Sequence, residues 1–452
     1  MSEYFQITLK HINEKAELIR EDLIEEIPIF PPLSVSDFGL NQATQLSILE
    51  KLQTPLMNAQ SETLKPRPSA CPECQSRVWK NGKAVSAFHQ VFSDHQVALQ
   101  KYQCSNPSCN WSYTPSIKAV LGGSMHSDLS KLQAEFGAVA SFNKSEYILR
   151  QTLGEDRALN NHERIRQTAV RIGNLVEKHL DSAASADPVA PAKELIVEVD
   201  GGHVHDKDRP KHNFEAMTAK VFRPQNCQKV SKDRFEIVDK NCAASAKKDE
   251  QETMKALTLS AAKAQGLNST TNVTALADGA ANCWNIVAFL KTYCASILCI
   301  LDWFHIAKNL NNLFKKVSCF QKSIQELVKL ELWEGRVIQA IALLKEEARR
   351  IAQQTGSLVF QEDITKTITY LENNAEFIVN YQQRKEQGLI YTSSIAESTV
   401  EHLLNESMKR KQKMQWTRNG CHAILQIRAA MAGDLWETVW KDIEEHEIRK
   451  IA

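Results

Sequence analysis

The chain has 452 residues, of which 43% are hydrophobic and 24% charged, with a formal net charge of +1. That length exceeds what one hydrophobic core usually serves, so two or three soluble domains of about 100 to 200 residues each are expected. The near-neutral total excludes a global electrostatic case for nucleic-acid binding and leaves local patches to make one.

No apolar run reaches the about 20 residues that span a bilayer, and the longest, residues 295–301, falls well short. Met1 is followed by Ser2, Glu3 and Tyr4 rather than by a secretory leader, so a cytoplasmic location and no membrane partner are expected. Eleven cysteines in such a chain point to metal ligation or burial rather than to disulfides.

Residues 1–64 hold acidic, helix-permissive stretches such as 17–26, broken by Pro28, Pro31 and Pro32, and read as an N-terminal helical arm. Short strands and turns follow the pair Cys71 and Cys74, so 65–120 reads as a small cysteine-bearing domain. Helical periodicity takes over in 121–181, and the Ala-, Ser- and Pro-rich stretch 182–193 is a linker. A buried strand is expected at 194–200, ending on Asp200, with second and third strands at 214–222 and 234–238. A helix at 249–265 precedes a strand at 272–277 that leads to Asp278. A helix at 282–293 precedes a strand at 297–301 that leads to Asp302. Residues 194–305 thus form an α/β unit, 306–390 are almost uniformly helical, and 391–452 begin with a helix at 391–408 carrying Glu397.

Three strands are therefore expected to deliver an acid at their carboxyl ends, where side chains leave the packed layer and sites form in open sheets. Carboxylates on adjacent strands suit a hard cation, because Mg²⁺ takes oxygen ligands and keeps positions for water and phosphate. A third acid from a helix would complete a two-metal site for in-line displacement. Asp278 and Asp302 compete for the second ligand position, with Asp278 preferred, and Glu401 shares a helix face with Glu397. His203, His205 and His212, interspersed with charged residues, read as a solvated segment rather than a transition-metal cluster.

Cys71-Pro-Glu-Cys74 and Cys104-Ser-Asn-Pro-Ser-Cys109 are two tight cysteine pairs separated by strand-like sequence, the pattern of a closed tetrahedral Zn²⁺ site. The wider second pair leaves His89 or His95 as substitute ligands. Within 121–181, a helix pair broken near Phe142 precedes Asn161, the expected N-cap of a long helix carrying Arg164, Arg166, Gln167, Thr168 and Arg171. Such side chains suit phosphates and base edges, and an ordinary solvated amphipathic helix carries them equally well. A second basic segment comprises Lys409, Arg410, Lys411, Lys413, Trp416 and Arg418, with Trp416 available for base stacking or for packing.

The ordered set Asp200, Asp278, Asp302-Trp-Phe-His305 and Glu397, over about residues 194–440, resembles the Mutator-like class of DDE transposases and their bacterial insertion-sequence relatives. In that class the first acid follows the first strand, the second lies in an Asp-Gly sequence on the fourth, a Cys/Asp-x-x-His pair follows, and the last Glu comes after an all-helical insertion. The resemblance implies a ribonuclease-H-like catalytic core interrupted by that insertion, with Asp200, Asp278 and Glu397 holding two Mg²⁺ or Mn²⁺ ions and Asp302 and His305 assisting. The cysteine module looks like the zinc ribbons that precede the core in several insertion-sequence transposases, followed here by a helix-turn-helix-like DNA-binding domain. Cleavage of element ends and strand transfer into target DNA are the implied reactions. The implied partners are double-stranded DNA, both terminal inverted repeats and target, and a second copy of the chain in a homodimer or larger assembly. Bacterial, nucleoid-associated cytoplasm is the implied setting. A transposase-derived regulator that binds DNA without cutting it, and a ribonuclease-H-like nuclease that hydrolyses without joining, are the alternatives.

Overall fold

The computed structural model describes residues 3–64, 68–154, 157–184, 189–230, 235–355, 357–395, 403–404 and 415–448. Two compact units are present, Met1–Ala169 with Trp440–Ala452, and Val170–Val439.

The first unit opens on an antiparallel hairpin, β1 (Tyr4–Ile12) and β2 (Leu18–Pro28). This corrects the helical reading of the arm. Asn13 closes the turn by accepting from the backbone N–H groups of Lys15 and Glu17, and Ala16 takes φ 61°. Lys10 and Glu21 pair across the strands, as do Gln6 and Glu26. The acidic residues of 17–26 thus find cross-strand partners that override a weak helical preference. Helix is confined to α1 (Gln42–Thr63), capped by the Asn41 side chain.

Next comes a three-stranded antiparallel sheet of β3 (Val78–His89), β4 (Asp94–Cys104) and β5 (Ser112–Tyr113), with the short α2 (Ile117–Leu121) against it. Three helices follow, α3 (Ser127–Val139), α4 (Phe142–Leu153) and the long α5 (His162–Ala184), inside which the boundary between the units falls. Leu149, Leu153 and Ile165 are buried with Leu132, Phe136 and Phe142 around them. The expected helix-break-helix pattern is present, with Ser141 capping α4 and Asn161 accepting from Arg164 N at 2.9 Å at the start of α5.

The second unit is built on a five-stranded mixed sheet. Its strands are β6 (Glu194–His205), β7 (Asn213–Phe222), β10 (Asn241–Ser245), β11 (Asn272–Ala277) and β12 (Ser296–Leu301), in the spatial order β10-β7-β6-β11-β12. The first three pair antiparallel, whereas β11 runs parallel to both β6 and β12. The expected third strand is displaced. Phe235–Ile237 (β9) pairs instead with Cys227–Lys229 (β8) in a separate hairpin, and the sheet takes Asn-Cys-Ala-Ala-Ser as its third member. Those small residues have little strand propensity of their own and are held by burial, with α6 (Glu252–Ala264) and α13 (Arg418–Ala432) packed against them. The expected helix at 282–293 is α7 (Ala281–Phe289) followed by a 3₁₀ turn.

After β12 the chain leaves the sheet for an all-helical insertion: α8 (Trp303–Lys316), α9 (Lys322–Trp333), α10 (Val337–Thr355), α11 (Leu358–Asn373) and α12 (Tyr381–Glu386). It has its own core of Leu310, Leu313, Val328, Leu332, Leu344, Ile364 and Leu371. Helix α14 (Trp436–Ile443) and a π-helical turn at Glu444–Ile448 close the described chain.

Candidate active site at the sheet edge and a four-cysteine centre

Strand β6 is buried along Leu195–Val199, and it is longer than the sequence suggests. Asp200 does not end it, because the strand continues through Gly201 and Gly202 to His205, paired with β7 throughout. What ends at this point is the parallel pairing with β11, whose last partners are Ala277 and Val199. Asp200 is thus the first β6 residue beyond β11, and its side chain reaches the carboxyl edge of the parallel strands.

Asp278 follows the last residue of β11. Gly279 takes φ 96°, and a Cβ there would meet the Asn374 side chain and Leu301 at 2.9 Å, so the turn out of β11 requires glycine. Asp278 Oδ1 accepts from Ala280 N at 2.8 Å, and the Tyr370 hydroxyl donates to its carbonyl at 2.9 Å. Asp302 follows β12 and caps α8, its Oδ1 accepting from Phe304 N at 2.9 Å. Ser393 donates to the same carboxylate through its backbone N at 3.2 Å and its hydroxyl at 2.5 Å.

The carboxyl edge of the three parallel-paired strands and α8 converge on one small cleft lined by Asp200, Thr218, Asp278, Asp302, His305 and Ser393, with Glu198 also lining it. His305 Nε2 is 3.7 Å from Asp200 Oδ2 and 3.9 Å from Asp302 Oδ2. Burial, opposed by the charge of His305, combines with the charges of Asp278 and Asp302 to push the Asp200 carboxyl up to about 6. Asp302 is only 2% exposed and both its oxygens are engaged. It therefore acts as a structural pin, fixing α8 to the segment that leads from Ser393 toward Glu397. Glu397 itself lies outside the described residues.

Beneath Asp200, Glu198 and Lys220 form an ion pair of 2.7 Å with both side chains buried, and burial raises the Glu198 carboxyl. Thr218, Tyr370, Ser393 and this pair do not stand out in the sequence by spacing or motif. The pair still leaves a signal, since Glu198 lies within the buried run Leu195–Val199 and Lys220 within the buried run 216–222.

In the first unit, Cys71 and Cys74 precede β3, Cys104 ends β4 and Cys109 lies in the following turn. Their sulfur atoms all lie within 4.8 Å of one another, and they are the cluster of three or more such ligands found among the described residues. The Cys71–Cys109 and Cys74–Cys104 Sγ separations are 3.7 and 3.4 Å. These match the about 3.8 Å between thiolates on a tetrahedral zinc with about 2.3 Å bonds, and far exceed the about 2.05 Å of a disulfide. Hydrogen bonds from Ser76 lower the Cys74 thiol to about 6, favouring the ligating thiolate. The cluster can hold a metal ion such as zinc. Neither histidine substitutes for a cysteine: His89 bonds Asp94 at 2.9 Å and His95 bonds the Ser93 hydroxyl at 2.6 Å.

The proposed DNA-contacting residues divide. On α5, Arg164 and Gln167 are exposed, with Gln167 and Arg166 both bonded to Glu163, and Arg171 is also exposed. Thr168 is buried and donates to Gln133 at 2.9 Å, which removes it from any outward role. Trp416 is 6% exposed and is tied to the end of β6, its backbone N–H donating to His205 O at 3.0 Å. Arg418 is spent internally, donating to Ala246 O at 2.8 Å and lying over the Phe214 ring. Trp416 is thus a packing residue, and Arg418 is half-buried with part of its guanidinium engaged inside the unit. Lys409, Arg410, Lys411 and Lys413 lie outside the described residues. His203 and His205 stand on the outer end of β6, and His205 bonds Asn213 at 2.7 Å.

Residues 127–445 match the family model described as Uncharacterised protein family (UPF0236), and the chain belongs to that family. No curated protein matches it. No helix among the described residues is long and apolar enough to cross a membrane.

Proposed function

We propose that this chain is a DNA transposase with a ribonuclease-H-like core. The observation that carries the reading is the convergence of Asp200, Asp278, Asp302 and His305, from the carboxyl edge of three neighbouring parallel strands and the following helix, on one cleft. Counting only strands of the main sheet, the acids stand on the first and fourth, the Asp302-x-x-His305 pair follows the fifth, and the helical insertion comes before Glu397. This is the order of the DDE transposases that the sequence resembles.

The donor set fits a hard divalent cation. Asp200 and Asp278 offer oxygen ligands, and the Asp200 carboxyl is raised first by burial and then by the charges of Asp278 and Asp302, which a cation would offset. Asp200, Asp278 and Glu397 would hold Mg²⁺ or Mn²⁺, as a pair of ions. When bound, the metal supplies Lewis-acid stabilisation and alignment for an in-line phosphoryl transfer. The chain's own groups do the rest. The Gly201 N–H, which donates to Asp200 Oδ1 at 2.7 Å, orients the first carboxylate. Asp302 fixes the direction of α8 and so of His305, whose Nε2 can hold or release a proton beside Asp200.

In the first reaction a water oxygen bonds to phosphorus as the P–O bond to the departing strand breaks, freeing a 3′-hydroxyl. In the second, that hydroxyl loses its proton and attacks a target phosphate, displacing another 3′-oxygen. The cysteine centre and α5 would serve recognition of terminal repeats, with a second copy holding the other end.

The test uses DNA carrying the termini that flank the open reading frame. Asp200→Ala and Asp278→Ala are expected to abolish Mg²⁺-dependent cleavage and joining while terminal binding is retained. Full strand transfer by either variant would remove that residue from the site, and binding without cleavage by the parent would favour the regulator.

A further inference from the structure

The helical insertion contains a second groove, separate from the acid cleft but leading to it. Asn309, Asn312, Leu313, Lys315 and Lys316 of α8 form one wall, and Asp363, Lys366, Thr367 and Tyr370 of α11 form the other, around a cavity of about 490 Å³. The two helices run antiparallel. Lys316, at the end of α8, pairs with Asp363 near the start of α11 at 3.3 Å, whereas Tyr370 near the end of α11 donates to the Asp278 carbonyl.

On α8 the spacing is directional. His305, Asn309, Asn312 and Lys316 recur at intervals of four, three and four residues, which places them in one stripe along the helix. The stripe begins at the acid cleft and ends at the lysines. From His305 to Lys316 is about 16 Å at about 1.5 Å per residue, the rise of about five nucleotides of a B-form strand at about 3.4 Å each.

We infer that this groove binds the phosphodiester backbone of DNA adjacent to the reacting phosphate, continuing the substrate path out of the acid cleft along α8 and α11. The inference rests on the proposed function and extends it to a surface the acids do not define. Lys315 and Lys316 on α8 and Lys366 on α11 line the groove with a single aspartate, Asp363, so its lining is net positive. The Lys316–Asp363 and Lys366–Glu362 pairs are exposed on the lysine side, and such pairs are weakly held and readily exchanged for phosphate. Asn309, Asn312 and Thr367 add neutral donors of the kind that position a backbone without reading sequence. Leu313 and Tyr370 add apolar surface between the polar groups, and a small anion would not need a stripe this long.

The experiment measures lysine acetylation in the full chain, with and without a labelled DNA duplex and without added magnesium. Lys315, Lys316 and Lys366 are expected to be protected by the duplex, while Lys345, on α10 outside the groove, reacts equally in both. In parallel, Lys315→Ala/Lys366→Ala should lower the salt dependence of duplex binding, the log–log slope falling by about 0.9 for each phosphate no longer neutralised, and the Arg replacements should restore it. Equal acetylation of all three lysines with and without duplex, or an unchanged slope in the Ala variant, overturns the inference. Neither readout needs catalysis. A parent that protects these lysines yet cannot cleave keeps the groove and sinks the transposase chemistry, and a parent that cleaves without protecting them does the reverse.

Discussion

Glu198 and Lys220 share one face of two paired strands, directly opposite each other and two residues from Asp200. A buried pair gains stability only while both charges are present. Lys220→Met is therefore expected to destabilise the second unit by about 3–5 kcal/mol in urea unfolding, and adding Glu198→Leu should recover most of the loss. An equally large loss in the double variant would mean that packing, not charge, governs the position. Asp94 makes a different case. Burial works to raise its carboxyl, but hydrogen bonds from His89 and Arg157 hold it well below the usual range. A depressed folded value contributes stability that is complete above the unfolded value of about 3.9 and is lost as pH falls below it. Asp94→Asn should thus lower stability near neutral pH and flatten the acid limb of the first unit's stability profile. A variant as acid-sensitive as the parent would count against the assignment.

Elements depend on neighbours as much as on their own residues. Gly173, in α5, shows this most sharply, because a Cβ there would meet Ala423 O of α13 at 2.1 Å. Backbone cannot yield as a side chain can. Gly173→Ala is expected to cost at least the about 1–3 kcal/mol of an overpacked core, read as a lower thermal midpoint, and an unchanged midpoint would show that the helices can part without penalty. The same dependence explains which elements were legible. Strands β6, β7, β11 and β12 are apolar and branched, and all four stand out in the sequence. Strand β10 is built of small residues and β2 of acidic ones. Their partners, α6 and α13 for one and β1 for the other, are remote or ambiguous in the sequence, so local preference misleads.

The division into two units has consequences of its own for the whole molecule. Each carries a separate core, so two unfolding transitions are expected. Only the first unit holds the four cysteines. Stripping zinc with a chelator, or Cys74→Ser, should lower the first unit's transition and reduce bound zinc from one per chain to none, leaving the other transition in place. A shift of both transitions together would show the units to be one cooperative body. Arm, cysteine module and helices were expected as separate domains from their changes of composition. They fall within one compact unit together with Trp440 and the residues after it, a grouping that no local pattern announces.

Asp200, Asp278, Asp302, His305 and the four cysteines were all legible from the sequence, because strand-end acids and paired thiols carry their chemistry in short, local spacings. Their surroundings were decided by the tertiary structure alone. It sets Asp200 at the end of a parallel pairing rather than at the end of a strand, spends Asp302 on a cap and on Ser393, and turns Trp416 and Arg418 inward. Each of these depends on which distant residue supplies a hydrogen-bond partner or excludes water, and that is decided only when β6, β11, α8 and α13 meet.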